Sequence, residues 1–137
     1  MEENRIIPIK QAEDWFLSQL WQSNRSSNET MRILKTLKRY VRCYNRDIFY
    51  SIEIINEKTI RFKPLNDLAD DCLLIVSIFA KHILELNRRR AAPSVNWYRN
   101  VGAESFKRLG YYDIAEDYDY WVDFISEHIF AKPVSIY

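Results

Sequence analysis

Five basic side chains follow one another at helical spacing between residues 32 and 46. Their alternating spacings of three and four residues place them in a narrow arc, opposite the apolar residues of the same helix. This basic ridge consists of Arg32, Lys35, Arg39, Arg42 and Arg46. Arginine offers a fork of donors that matches phosphate oxygens, so the ridge could contact phosphates without reading bases. It could instead be a solvated face, paired with acids elsewhere in the fold, or it could face a protein partner.

A second charged surface is predicted near the C-terminal end of the sequence. Residues 109–137 contain six acidic residues and one basic residue, whereas residues 1–108 have an excess of basic residues. Tyr120 and Phe124 fall among these acids on a helical wheel, away from the apolar stripe, and such exposed rings are typical of a contact surface. This acidic face consists of Glu116, Tyr120, Asp123, Phe124 and Glu127. A loop or the C-terminal tail could instead cover the two rings.

Residues that usually carry catalysis or bind metals are few. His82 and His128 are the only histidines, and Cys43 and Cys72 are the only cysteines. None has the spacing of a zinc, di-iron or nucleophile motif, and two glycines are too few for a phosphate-binding loop. We therefore identify no catalytic residue, no metal ligand and no cofactor. The sequence does not decide whether the chain is an enzyme, but it favours a protein without catalytic activity.

Length and composition indicate one folded domain over residues 1–137. The chain is 47% hydrophobic, which is enough for a packed core, and its net charge of +1 identifies no class of partner. The most apolar run, residues 72–80, is much shorter than the roughly 20 residues that span a membrane. We expect no membrane association. Because the first residues lack a signal-peptide pattern and two cysteines form no disulfide framework, we expect a cytoplasmic protein.

Hydrophobic periodicity predicts five helices. Ser26 and Glu29 have the spacing of a capping box at the start of the second helix, and Ser94 is suited to cap the fourth. Gly110 is suited to end the fourth helix in a left-handed conformation. The predicted helices span approximately residues 9–22, 26–45, 67–89, 94–109 and 113–130.

The third predicted helix, about 67–89, is expected at the centre of the domain. It is apolar around most of its circumference, with a narrow polar stripe that includes Asp70 and Ser77. Between the second and third helices, alternating residues over about 48–63 suggest a β-hairpin. The predicted fold is therefore mainly α, a compact five-helix domain with this hairpin as an addition.

Two functions follow from the charged surfaces. The first is a non-enzymatic adaptor or regulatory module that binds a protein partner or a second copy of itself through charged helix faces. The alternative is a nucleic-acid-binding protein that uses the basic ridge for phosphate contacts. No recognition motif supports sequence-specific binding.

Overall fold

The computed structural model describes residues 5–44, 60–80, 94–131 and 134–136, and these segments form a mainly helical fold, which confirms the predicted class. The α-helices are α1 (Ala12–Leu20), α2 (Ser27–Arg39), α3 (Leu65–Ser77), α4 (Val95–Arg108), α5 (Tyr112–Glu116) and α6 (Tyr118–Asp123). π-Helical segments over Tyr40–Tyr44 and Phe124–Ile129 extend α2 and α6, and 3-10 turns lie at Ile9–Gln11, Trp21–Ser23 and Ile60–Phe62.

Two short strands bring the ends of the described chain together. β1 (Arg5–Ile7) pairs in parallel with β2 (Val134–Ile136), and Ile7 lies opposite Ile136. Strands of three residues are too short for a periodic pattern to identify them. The pairing therefore depends on packing between distant parts of the sequence.

The hairpin expected over 48–63 is not supported. Its residues 48–59 lie outside the described part of the chain, and Ile60–Phe62 forms a 3-10 turn. The amide of Lys63 closes this turn by donating to the carbonyl of Ile60 at 3.2 Å. Pro64 follows at the N-cap of α3, so the last residues of the expected hairpin lead into a helix.

The predicted helix caps are confirmed. The Ser26 hydroxyl accepts a hydrogen bond from the Glu29 amide at 3.2 Å, and the Ser94 hydroxyl accepts one from the Trp97 amide at 3.1 Å. Gly110 has a φ of 92°, the left-handed conformation expected after α4. Local sequence signals therefore determine where α2 and α4 begin and where α4 ends.

α3 occupies the centre of the fold, as its apolar circumference predicts. Residues 68–77 are all buried, and α3 packs against α2, α4 and α6. The predicted continuation beyond residue 80, which includes His82, lies outside the described residues. Two acids, Asp70 and Asp71, are buried with the apolar side chains of α3. Buried carboxylates require partners, and those partners come from α2.

The segment predicted as one helix over 113–130 is divided. α5 ends at Glu116, and Asp117, with φ −89° and ψ 15°, joins it to α6. From Phe124 onward the chain continues as a π-helix. Because a non-helical residue and a π-turn both change the rotational phase, a single helical wheel does not describe which side chains share a face.

α4 approaches α3 and α6 closely at Gly102. A Cβ atom at this position would lie 3.0 Å from the Cβ of Cys72 and would collide with the hydroxyl of Tyr118. Tyr118 and Cys72 are both buried, and burial raises the pKa of each group well above its usual value. Only glycine fits between these side chains without a shift of the helices.

We expect Gly102→Ala to destabilise the protein by about 1–3 kcal/mol, because the added methyl group overpacks this helix crossing. Tyr118→Phe removes the colliding hydroxyl, so the double variant should recover part of the loss. Urea denaturation of both variants measures the effect, with Asn100→Ala, an exposed position on α4, as the control. Equal stability of Gly102→Ala and the unmodified protein would contradict the close approach.

Candidate functional site

Arg32, the first residue of the basic ridge, lies inside the protein. It is only 4% exposed, and its Nη1 atom lies 2.6 Å from Oδ1 of Asp70 on α3. The Thr36 hydroxyl donates to the same oxygen at 2.6 Å. The guanidinium carbon lies 5.0 Å from the ring centre of Phe106 and 5.4 Å from that of Tyr111. Arg32 therefore connects α2 with α3 and with the end of α4.

Arg39 also faces α3. Its Nε atom donates to Oδ1 of Asp71 at 2.7 Å and its Nη2 atom to Oδ2 at 3.1 Å, which makes a bidentate pair. Nη1 lies 3.6 Å from Oδ1 of Asp67. The ammonium group of Lys63 lies 2.8 Å from Oδ2 of Asp71, whose side chain is almost fully buried. Asp71 thus accepts from two cations that approach from different elements.

The remaining cations of the ridge face solvent where the structure describes them. Lys35 and Arg42 are exposed and form no ion pair among the described residues. Lys38, beside them on α2, is exposed and lies 3.4 Å from the carboxylate of Glu13. Arg46 lies outside the described residues. The five ridge residues therefore do not form one continuous exposed surface.

A signal for this division is present in the sequence. Asp67, Asp70 and Asp71 recur at helical spacing on α3, and Asp70 belongs to the polar stripe recognised from the sequence. The stripe was expected as the polar side of a central helix. Periodicity within one helix does not say which other helix that side meets, so the sequence does not identify the acids of α3 as the partners of the ridge.

Five of the six acids between the start of α5 and the end of the π-helical segment fall into two groups; the sixth, Asp113, is exposed. Asp117 pairs with Arg25, 3.1 Å from Nε, and Asp119 accepts two hydrogen bonds from Arg99 at 2.5 Å each. Three members of the acidic face are exposed, and no described cation forms an ion pair with them. They are Glu116, Asp123 and Glu127. The unpaired part of this charge is therefore available to a partner.

The two rings of the acidic face are half-buried. The Tyr120 hydroxyl donates to the carbonyl of Ser23, and the Arg25 guanidinium lies 3.7 Å from the ring centre of Tyr120. Phe124 stacks on Tyr120 on one side and on His128, at 4.7 Å between ring centres, on the other. The connection between α1 and α2 therefore covers Tyr120.

Glu29, which sequence reasoning placed only in a helix cap, is buried where α2 meets α5 and α6. It is 3% exposed, and its Oε1 atom is enclosed without a hydrogen-bond partner among the described residues. Burial raises the pKa of the Glu29 carboxyl from 4.5 to about 7, and the Asp117 and Asp113 carboxylates act in the same direction. The Trp121 indole acts in the opposite direction. Glu29, Asp113 and Asp117 are called the carboxyl cluster below.

We expect Arg32→Met to destabilise the protein by about 3–5 kcal/mol, because it leaves the buried Asp70 carboxylate without its cation. Burial already raises the pKa of Asp70, and the Arg32 guanidinium opposes this effect. Adding Asp70→Leu removes the unpaired charge and should restore much of the stability. Urea denaturation measures both variants. Lys35→Met, at an exposed position on the same helix, is the control and should change stability by less than about 0.5 kcal/mol.

The raised pKa of Glu29 predicts how the stability of the folded protein changes with pH. The unfolded chain releases this proton near pH 4.5 and the folded protein near pH 7, so the stability that the protonated group contributes is complete below pH 4.5. It decreases as the pH rises toward 7. Unfolding midpoints of the unmodified protein and of Glu29→Gln should diverge over this interval, with the unmodified protein losing stability. Parallel curves would contradict the assignment.

Further comparisons add no ligand or relative to this description. Within the described residues, no group of three histidine, cysteine or acidic side chains could hold a metal ion, and no helix has the length and apolar character needed to cross a bilayer. No protein-family model, curated protein or solved structure matches the chain. The charged side chains and their contacts are therefore the features that bear on function.

Proposed function

We propose that this chain is a non-enzymatic protein-interaction module that self-associates through its charged helix faces. The observation that carries the proposal is the contrast between paired and unpaired charges. Arg32 and Arg39 are neutralised within the chain, and so are Asp117 and Asp119. Among the described charges that remain exposed and unpaired are cations on α2 and its π-helical extension, and acids on α5, α6 and the π-helical segment after α6.

The unpaired charges are complementary between two copies. The exposed cations are Lys35 and Arg42, and the exposed acids that would meet them are Glu116, Asp123 and Glu127. Asp123 and Glu127 are four residues apart and therefore neighbours along the same segment. In a twofold dimer the acidic face of each copy could meet the exposed cations of the other, so that both pairings form at once. Charge complementarity of this kind favours specificity and fast association.

A groove beside Glu116 adds a concave surface to this side of the molecule. It has a volume of about 480 Å³ and lies between α4 and α5. Two carboxylates, Glu104 and Glu116, and one ammonium group, Lys107, line it together with Tyr112, which is 60% exposed. An exposed tyrosine beside carboxylates is suited to bind a basic side chain through its ring and through charge. The groove therefore supports a basic protein surface as the partner.

The nucleic-acid alternative would rest on fewer residues than the sequence indicated. The described cations of α2 that face solvent are Lys35, Lys38 and Arg42, and Lys38 is already near Glu13. Three phosphate contacts would still give binding that weakens as salt is added. The same α2 variants test this alternative, provided that Arg39 is left unchanged because it pairs with Asp71.

Sedimentation velocity over a range of protein concentrations tests self-association. We expect a dimer whose affinity decreases with added salt, because exposed charges are screened. Lys35→Glu with Arg42→Glu should dissociate it, and so should Glu116→Lys with Asp123→Lys. An equimolar mixture of the two double variants should restore association. The first variant carries mainly acids on both surfaces and the second mainly bases, so the two variants attract each other.

Asp14→Lys is the matched control, since Asp14 is an exposed acid on α1 with no ion pair among the described residues. It should associate like the unmodified protein. A monomer at every concentration, or a mixture that remains monomeric, would contradict the proposal. Salt-sensitive RNA binding that is lost with Lys35→Glu and Arg42→Glu, without any dimer, would favour the alternative.

A further inference from the structure

The carboxyl cluster joins one buried carboxyl group, that of Glu29, to two that solvent reaches, those of Asp113 and Asp117. Glu29 extends from the first turn of α2, Asp113 from α5, and Asp117 from the junction between α5 and α6. Glu29 is 3% exposed, and its Oε1 atom has no hydrogen-bond partner among the described residues. Burying a carboxyl oxygen in this way is unfavourable unless a donor reaches it.

The nearest described cations are engaged with other groups. Arg25 pairs with Asp117 through Nε and lies over the ring of Tyr120. Arg32, on the next turn of α2, is directed to Asp70. Across the residues that the structure describes, no ion pair includes Glu29 or Asp113. One cation therefore serves three carboxyl groups.

A cleft of about 130 Å³ opens at this cluster. Glu29 and Asn28 line it from α2, and residues 110–114 line it from the loop after α4 and from α5. A water molecule occupies about 30 Å³ of liquid, so the cleft is large enough for a group of several non-hydrogen atoms. Two tyrosines, Tyr111 and Tyr112, are among the lining residues and could place a ring against a planar cation.

We propose that this cleft binds the guanidinium group of an arginine side chain from a partner protein, with Glu29 and Asp113 as its carboxylate acceptors. A guanidinium group is planar, offers five donors and is weakly hydrated, so it tolerates a narrow and partly buried site better than an ammonium group does. It can donate to two carboxylates at once and lie against an aromatic ring.

Binding of a guanidinium group would be coupled to loss of the proton from the Glu29 carboxyl group. The charged groups that face Glu29 are Asp113 and Asp117, with Arg25 behind Asp117; the titratable Tyr111 and Tyr112 line the cleft. The proton that Glu29 retains near neutral pH must leave before the carboxylate can pair with a cation. With a pKa of about 7, affinity for a guanidinium should fall about tenfold between pH 8 and pH 6.

The probe is N-acetyl-arginine amide, and its control is N-acetyl-citrulline amide, in which a neutral urea replaces the guanidinium. Titration is followed by ¹⁵N–¹H NMR at the amides of Gly110 and Asp113 and at the Trp121 indole. We expect saturable shifts with the arginine derivative at pH 8, about tenfold weaker binding at pH 6, and no binding of the citrulline derivative. Because a monomer can bind this small probe, the result is independent of whether the protein self-associates.

Glu29→Gln and Asp113→Asn should each abolish these shifts. Asp123→Asn removes the same charge from an exposed position outside the cleft and should leave them unchanged. Two variants on different helices keep the test valid if one of them does not fold. Three outcomes would each overturn the proposal. They are no saturable binding of the arginine derivative at pH 8, equal binding of the citrulline derivative, and unchanged binding by both cleft variants.

Discussion

Charge pairing between α2 and α3 is the interaction on which the rest of the structure depends. Asp70 and Asp71 are buried in the central helix, and the cations that compensate them among the described residues are Arg32, Arg39 and Lys63. A buried ion pair contributes little net stability, but loss of one partner is costly because a charge remains unpaired. The pairs therefore fix how α2 lies on α3. They also engage Arg32, which is buried, and Arg39, whose side chain is 17% exposed, so that neither offers an unpaired charge to a partner.

This constraint explains which parts of the fold follow from the sequence. The caps at Ser26 and Ser94 and the left-handed Gly110 depend on residues within one turn, so local patterns identify them. The central position of α3 follows from its apolar circumference, which needs no knowledge of its neighbours. Pairing of Arg32 with Asp70 joins residues 38 positions apart. A helical wheel that treats each helix separately cannot detect such a pair.

The acidic face near the C-terminal end differs from its prediction for a related reason. A single helix over 113–130 would place Tyr120 and Phe124 in solvent, but Asp117 and the π-helical segment change the phase of the chain. The ring of Tyr120 then lies under Arg25, and the members of the acidic face that remain exposed are Glu116, Asp123 and Glu127. Glu29 was recognised only as part of a capping pattern. Its burial against Asp113 and Asp117 depends on how α2 docks, which the charge pairs with α3 determine.

Hydrogen exchange of the arginine Nε–H groups tests the central claim most directly. Arg32 and Arg39 should show Nε–H signals in ¹⁵N NMR spectra that exchange much more slowly than that of the exposed Arg42, because their guanidinium groups are enclosed by α3. Added salt should change the exchange of neither, since enclosed pairs are only weakly screened. Exchange of Arg32 and Arg39 as rapid as that of Arg42 would contradict the account.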